Sequence, residues 1–332
     1  MKPSLIILIV FVIISSCTQT HKGSLNFSVN SLDPKNITIK RYGKALFELD
    51  TTQLQQALIG IQPDFYHFLD ANLFDSSNIL KIHNFVTDTQ LRKLYQRSLQ
   101  IFPVLTQTET DLTQAFRRFH YHLPMNTIPE IYTYISGVQF EAPVLTDEKV
   151  VVIALDCYLG KDELIYKRMG IPNYIAERMT PQHLVNDVFK SLYSVQIAKE
   201  NQSLTILDEM IKAGKLYYFL EAMQPDIADN ILFGISENQL KWLKKHEGDV
   251  WAMLISQQVL YASDFQLFRK LFGDGPFSQD FSSEAPARIG EWVGWQIIRH
   301  YMENKPETSL SDLIILSDSQ DILSGSFYKP RK

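Results

Sequence analysis

Three short stretches carry the side chains that chemistry would need. His246-Glu247-Gly248-Asp249-Val250 opens like the metal helix of a zinc peptidase, where imidazoles at i and i+4 hold the ion and the glutamate between them is the general base. Val250 stands where the second imidazole is required, and Gly248 is a poor residue for a rigid helical site, so the stretch reads as a solvated helix end after Lys244-Lys245. His120 and His122 flank Tyr121, and in an extended segment that spacing turns both rings to one side, as a metal pair needs. Arg117 and Arg118 next door repel a cation, and no third ligand is identifiable. His183 and Asp187 lie one helical turn apart, with Asp208-Glu209 on a following helix able to face the same groove. An ion pair and a solvated helix face explain these four as well as an acid–base set does.

A fourth group leaves a strand together: Asp156, Tyr158, Lys161 and Asp162. Strand exits are where binding residues collect, although a local salt bridge and cap account for them equally. No nucleophile elbow, phosphate loop, dinucleotide fingerprint, cysteine pair or calcium loop occurs, and Gly273-Asp274-Gly275 lacks the following helix of a phosphate cradle. The residues alone therefore imply no catalytic set, no metal and no cofactor.

The elements that must position these groups follow from pattern. The apolar run 150–155, ended by Asp156, reads as a strand buried on both faces. Thr180 as N-cap and Pro181 at the first helical position start a helix whose stripe is Leu184, Val185, Val188, Phe189 and Leu192. Before the strand, residues 36–49 alternate and predict a strand and bend. Residues 128–140 predict further strands, with a turn at Asp147-Glu148. Capping boxes are read at Asp50-Gln53, Thr87-Gln90, Thr106-Glu109 and Ser236-Gln239, and Asp264 sits in a further cap at 263–266. Past Thr180 the chain is helical: 201–222, then a helix interrupted at Gly248, and 286–303, apolar nearly all round and so centrally packed. The expected fold class is α+β and mostly α-helical, a small β-sheet packed with helices and followed by a helical half. It reads as a single domain over 29–332, with a first lobe at about 29–179 and a helical lobe at about 180–332.

The chain has 332 residues, 45% of them hydrophobic, enough for a sizeable core. With 32 basic against 37 acidic residues and no basic patch, nucleic acid is excluded as a partner. Residues 1–16 have the form of a lipoprotein signal peptide: Lys2, then an apolar core at 5–14 too short to span a bilayer, then Ile14-Ser15-Ser16-Cys17. In that order small residues fit the peptidase cleft and the Cys17 thiol accepts the lipid, so Cys17 is the expected lipidation site and 17–28 a tether. Several acyl chains hold a protein to the membrane almost permanently. Thr18 rather than aspartate follows, which favours the outer membrane, facing the periplasm. With Cys17 acylated, Cys157 has no disulfide partner and packs as a small hydrophobe.

The lipobox and the blocks LDCYLGKD (155–162), RMTPQHLVNDV (178–188), LDEMIKAGKLYYFLEAMQPD (207–226) and EWVGWQIIRHYMENKPETSLSDLIILSDSQDILSGSFYKP (291–330) resemble the gliding-motility-associated lipoprotein family GldB of Bacteroidota. That resemblance implies an envelope lipoprotein tied to gliding machinery or its counterpart in non-gliding relatives, working with envelope protein partners. The family is also distantly similar to predicted zinc-dependent, zincin-like proteases. On that likeness the helix after Thr180 takes the metal-helix place and Glu209 the place of the third ligand. The place of HExxH reads Asn186-Asp187-Val188-Phe189-Lys190, so both imidazoles are replaced and a lysine sits near the metal position. The implied molecule is a degenerate zincin-like scaffold kept for binding, with no enzyme activity. The alternatives are an exported hydrolase using His183, Asp187, Asp208 and Glu209, and a carrier with a pocket beside Asp156 to Lys161.

Overall fold

A computed structural model describes residues 25–33, 36–198, 204–278 and 281–330. The expected signal peptide, Cys17 and most of the expected tether lie outside the described residues. Four strands form one mixed sheet in the order β1-β2-β4-β3, where β1 is Ile39–Lys40, β2 Glu130–Tyr134, β3 Val144–Thr146 and β4 Val150–Ala154. β1, β2 and β4 run parallel, with Ile131 opposite Val151 and Thr133 opposite Ile153, and β3 pairs antiparallel to β4. The turn joining β3 to β4 is held by Asp147, whose Oδ1 accepts the amides of Lys149 and Val150 at 2.7 Å each.

The two-residue side-chain period sends β2 and β4 into two cores at once. Ile131, Val151 and Ile153 join the larger core; Tyr132 and Val150 join a smaller one with Leu46, Leu58, Leu69 and Val86. The smaller core is closed by α1 (Tyr42–Phe47), α2 (Leu54–Ile61) and α3 (Ser76–Thr87). On the other face α4 (Thr89–Ile101) and α5 (Thr106–His122) lead to the helices that follow the sheet. The longer of these are α6 (Leu184–Leu192), α7 (Ile206–Met223), α8 (Glu237–Ser256), α9 (Phe265–Phe272), α10 (Ile289–Asn304), α11 (Leu310–Ile315) and α12 (Ser319–Ser326). Fold class is therefore as expected, α+β and mostly helical.

Several local expectations change. The alternation at 36–49 yields only the short β1 and then α1. The amides of Ile37 and Ile39 are taken by Thr113 Oγ1 and Glu109 Oε1 of α5 at 2.9 Å, and Tyr42, Leu46 and Phe47 bury at helical spacing. Glu109 is thus spent on β1, and α5, with Leu105 at its N-cap, has no side-chain cap. Asp88 caps α4 by accepting from Gln90 and Leu91, while Thr87 Oγ1 bonds back to His83 inside α3. The Ser236-Gln239 box forms. Gly248 interrupts nothing: α8 runs through it, since one glycine costs a helix only about 1 kcal/mol and this one is buried. Described, folded chain extends into the expected tether. Leu25 and Val29 are buried, and the Arg118 guanidinium donates to the carbonyls of Leu25 at 2.8 Å and Phe27 at 3.0 Å.

The helix pair that sets the geometry of the site is α7 against α10. They cross at Gly214 and Gly294, backbone against backbone: a Cβ on Gly294 would lie 1.8 Å from the Met210 carbonyl oxygen. Only glycine permits that approach.

Candidate functional site

The strand exit is built by burial. β4 ends at Ala154, the chain turns through Leu155–Cys157, and Asp156 is fully buried. Its carboxylate accepts from the amides of Ser136 (2.9 Å) and Val138 (2.7 Å) and from Ser136 Oγ (3.1 Å). It thereby fixes the turn after β2, where Val138 takes φ +64°, a conformation strained for a β-branched residue. Burial raises the Asp156 pKa against these hydrogen bonds. Cys157 is free and buried, its pKa also raised by burial. Asp156 is a clamp within the fold, open to no ligand. Tyr158 is buried too, and its Oη donates to Asp187 Oδ2 at 2.9 Å, tying the exit to α6. Lys161 and Asp162 stay exposed.

α6 opens with a tight turn, Pro181–His183; Thr180 is extended before it but gives no side-chain cap. Thr180 Oγ1 instead meets His183 Nδ1 at 2.8 Å. His183 is buried, and desolvation together with Arg178 pushes its pKa down to about 4, so it is neutral at physiological pH. The expected stripe Leu184, Val185, Val188, Phe189 and Leu192 is buried throughout. After Leu192 the helix widens into a π turn, Tyr193–Ile197, a distortion often found at functional positions.

On the opposite side of α6 lie Asn186, Asp187 and Lys190. Asn186 is buried, its Nδ2 donating to Leu232 O at 3.4 Å while its Oδ1 has no partner. Asp187 is deeply placed and partly open; burial raises its pKa, opposed by Lys190, the Tyr158 hydroxyl and Arg178. Lys190 is exposed and lines a recess. Burial lowers its pKa, Arg288 and Arg178 lower it further, and Glu291 and Asp187 oppose. The recess measures about 690 Å³ and is also lined by Asp208, Glu209, Tyr217 and Glu291.

Behind it runs a network that sequence reasoning missed. Tyr217 of α7 donates to Glu291 of α10 at 2.6 Å, and Arg288 donates to Tyr217 Oη (3.0 Å), Glu291 (3.2 Å) and the Phe233 carbonyl (2.6 Å). Arg178 pairs with Asp274 at 2.6 Å, and the Arg288 Nε lies 3.5 Å from the same carboxylate. Although burial lowers its pKa, the Tyr217, Glu291 and Asp274 partners leave Arg288 raised on balance. Arg288 also stands at φ +60° where α10 begins. The legible signal was Arg288 and Glu291 flanking the apolar start of a helix whose residues 289–295 are otherwise without a polar side chain except the Trp indoles.

The seven candidate groove residues are thus divided. Asp208 and Glu209 share one recess with Lys190; Lys161 and His183 line a different one of about 1120 Å³; Asp156 and Tyr158 are interior, and Asp187, held by Tyr158, lines neither recess. Asp208 is engaged in a capping box, accepting from the Thr205 amide at 2.9 Å while Thr205 Oγ1 caps Asp208 N at 3.2 Å. Partial burial notwithstanding, hydrogen bonds from Ser319, Thr205 and Leu204 hold its pKa low. Glu209 lies 3.6 Å from Lys212.

The two remaining histidine motifs resolve as ordinary structure. His120 and His122 fall in the last turn of α5, where i, i+2 side chains diverge, and burial pushes His122 down to about 4. His246 packs on Trp242 with ring centroids 4.7 Å apart, and Glu247 accepts from Tyr328 at 2.9 Å. Among the described residues no three His, Cys, Asp or Glu side chains gather where they could hold a metal ion, and no helix is long and apolar enough to cross a membrane.

A family model described as gliding motility protein GldB matches residues 25–330 of the chain. No curated protein and no solved structure matches it.

Proposed function

The chain belongs to the gliding motility protein GldB family, a family of gliding-motility-associated lipoproteins of the cell envelope, and from that membership we propose that it works by contact rather than by catalysis. On this reading Cys17 carries the lipid, the anchor lies in the outer membrane facing the periplasm, and residues from 29 onward act as one unit that engages envelope proteins. Nucleic acid is no partner of so acidic a chain.

One observation carries the non-enzymatic part. At the metal-helix place α6 offers an amide, a carboxylate and an ammonium, and each is committed elsewhere or of the wrong kind. Asn186 is buried against Leu232, Asp187 accepts from Tyr158, and Lys190 brings a positive charge where an imidazole lone pair would be needed. The zincin-like scaffold, on this proposal, has been kept for its shape.

Crosslinking in intact envelopes followed by pull-down tests the reading. The parent chain should capture the same envelope proteins reproducibly, and Cys17→Ala should lose both them and membrane sedimentation. Undiminished capture by Cys17→Ala, or peptidase activity abolished by a chelator, overturns it.

A further inference from the structure

Lys190 differs from every other basic group around its recess. Lys215 donates to the carbonyls of Leu316 and Ile314 at the end of α11, and Lys212 sits beside Glu209. Lys190 Nζ has no hydrogen bond or ion pair among the described residues. The two carboxylates that act on it are occupied, Glu291 by Tyr217 and Arg288, Asp187 by Tyr158. Lys190 faces the recess without a counter-ion, and Arg288 and Arg178 add repulsion. An anion from outside would relieve both.

The walls restrict which anion. Tyr193, Ile197, Ile211 and Leu316 present apolar surface beside Lys190. Asp208, Glu209 and Glu291 line the same recess and disfavour a multiply charged group such as a phosphate. Its volume of about 690 Å³ falls within the range of small-molecule sites, roughly 300–1,000 Å³. The π turn at Tyr193–Ile197 puts exposed Ser194 on this recess.

We propose that the recess binds a singly charged carboxylate on an apolar body, the carboxylate on Lys190 Nζ and the apolar part against Tyr193, Ile197, Ile211 and Leu316. That chemistry has two sources, a short free acid or the C-terminus of a peptide ending in an apolar residue.

The full chain in lipid nanodiscs, titrated calorimetrically with hexanoate, with Ala-Ala-Leu and with the amide of Ala-Ala-Leu, separates them. An acid probe should bind saturably and the amide at least tenfold more weakly. Lys190→Met should lose at least tenfold, Lys190→Arg clearly less, and Ser194→Trp, which keeps the charge and fills the recess, should lose as much as Lys190→Met. Tight tripeptide with weak hexanoate identifies a peptide end; comparable affinities identify a free acid. If neither acid binds at millimolar concentration, if the amide equals the acid, or if Ser194→Trp binds like the parent, the proposal is wrong. Circular dichroism monitors folding, and should Lys190→Met misfold, Ser194→Trp decides alone.

Discussion

Gly294→Ala should be among the most damaging conservative changes in the chain. The added Cβ would stand 1.8 Å from the Met210 carbonyl oxygen and 2.5 Å from its carbon. Ordinary contact begins near 3.4 Å, so α7 and α10 must part by about 1.5 Å or more. The obstacle is helix backbone, which cannot rotate aside as a side chain does. Overpacking relieved by side-chain shifts costs about 1–3 kcal/mol, and here we expect about 3 kcal/mol or more, a large share of a typical domain's stability. Separation also draws Tyr217 away from Glu291, a bond of 2.6 Å, and so loosens the wall behind Lys190. Gly60→Ala is the control: Gly60 is exposed within α2 with nothing inside 4 Å of a Cβ, so alanine there should stabilise by about 0.5–1 kcal/mol. Urea denaturation followed by circular dichroism measures both. A loss below about 1 kcal/mol for Gly294→Ala would refute the argument that backbone contact at the crossing sets the geometry.

Asp156→Ala should cost about 3 kcal/mol or more in the same assay, because it strands the buried amide of Val138 and the part-buried amide of Ser136 and frees a strained turn. His183, held near 4 against 6.5 in the unfolded chain, binds fewer protons when folded. Stability is therefore full above pH 6.5 and falls as pH drops toward 4, by at most about 3 kcal/mol for this group. His122 contributes in the same direction. His183→Gln should flatten that slope in denaturation curves taken from pH 7 to pH 4, and an unchanged slope would contradict the assignment. Arg118→Ala should release residues 25–33, seen as faster limited proteolysis there with the core intact.

What was legible in the sequence was what depends on periodicity. The run at 150–155 announced β4 between two partners, and the stripe from Leu184 to Leu192 announced α6, since burial on a strand or helix writes itself at spacing 2 or 3.6. Short-range caps were harder, because one side chain has several takers: Glu109 fits a box yet serves β1, whereas Asp208, read as a groove carboxylate, closes a box with Thr205. The site was least legible. That Lys190 opens into a recess follows from α7, α10 and α11 packing around it, a long-range fact without local signature. The Gly214–Gly294 crossing and the Arg288–Glu291–Tyr217 network likewise join residues more than 70 positions apart.

The central claim, that α6 offers contact groups and no metal centre, is tested most directly by elemental analysis joined to anomalous diffraction. The full chain, purified without chelator, should carry no stoichiometric divalent ion and give no anomalous peak near Asn186, Asp187 and Lys190. One tightly held equivalent with its peak beside those three residues would contradict it.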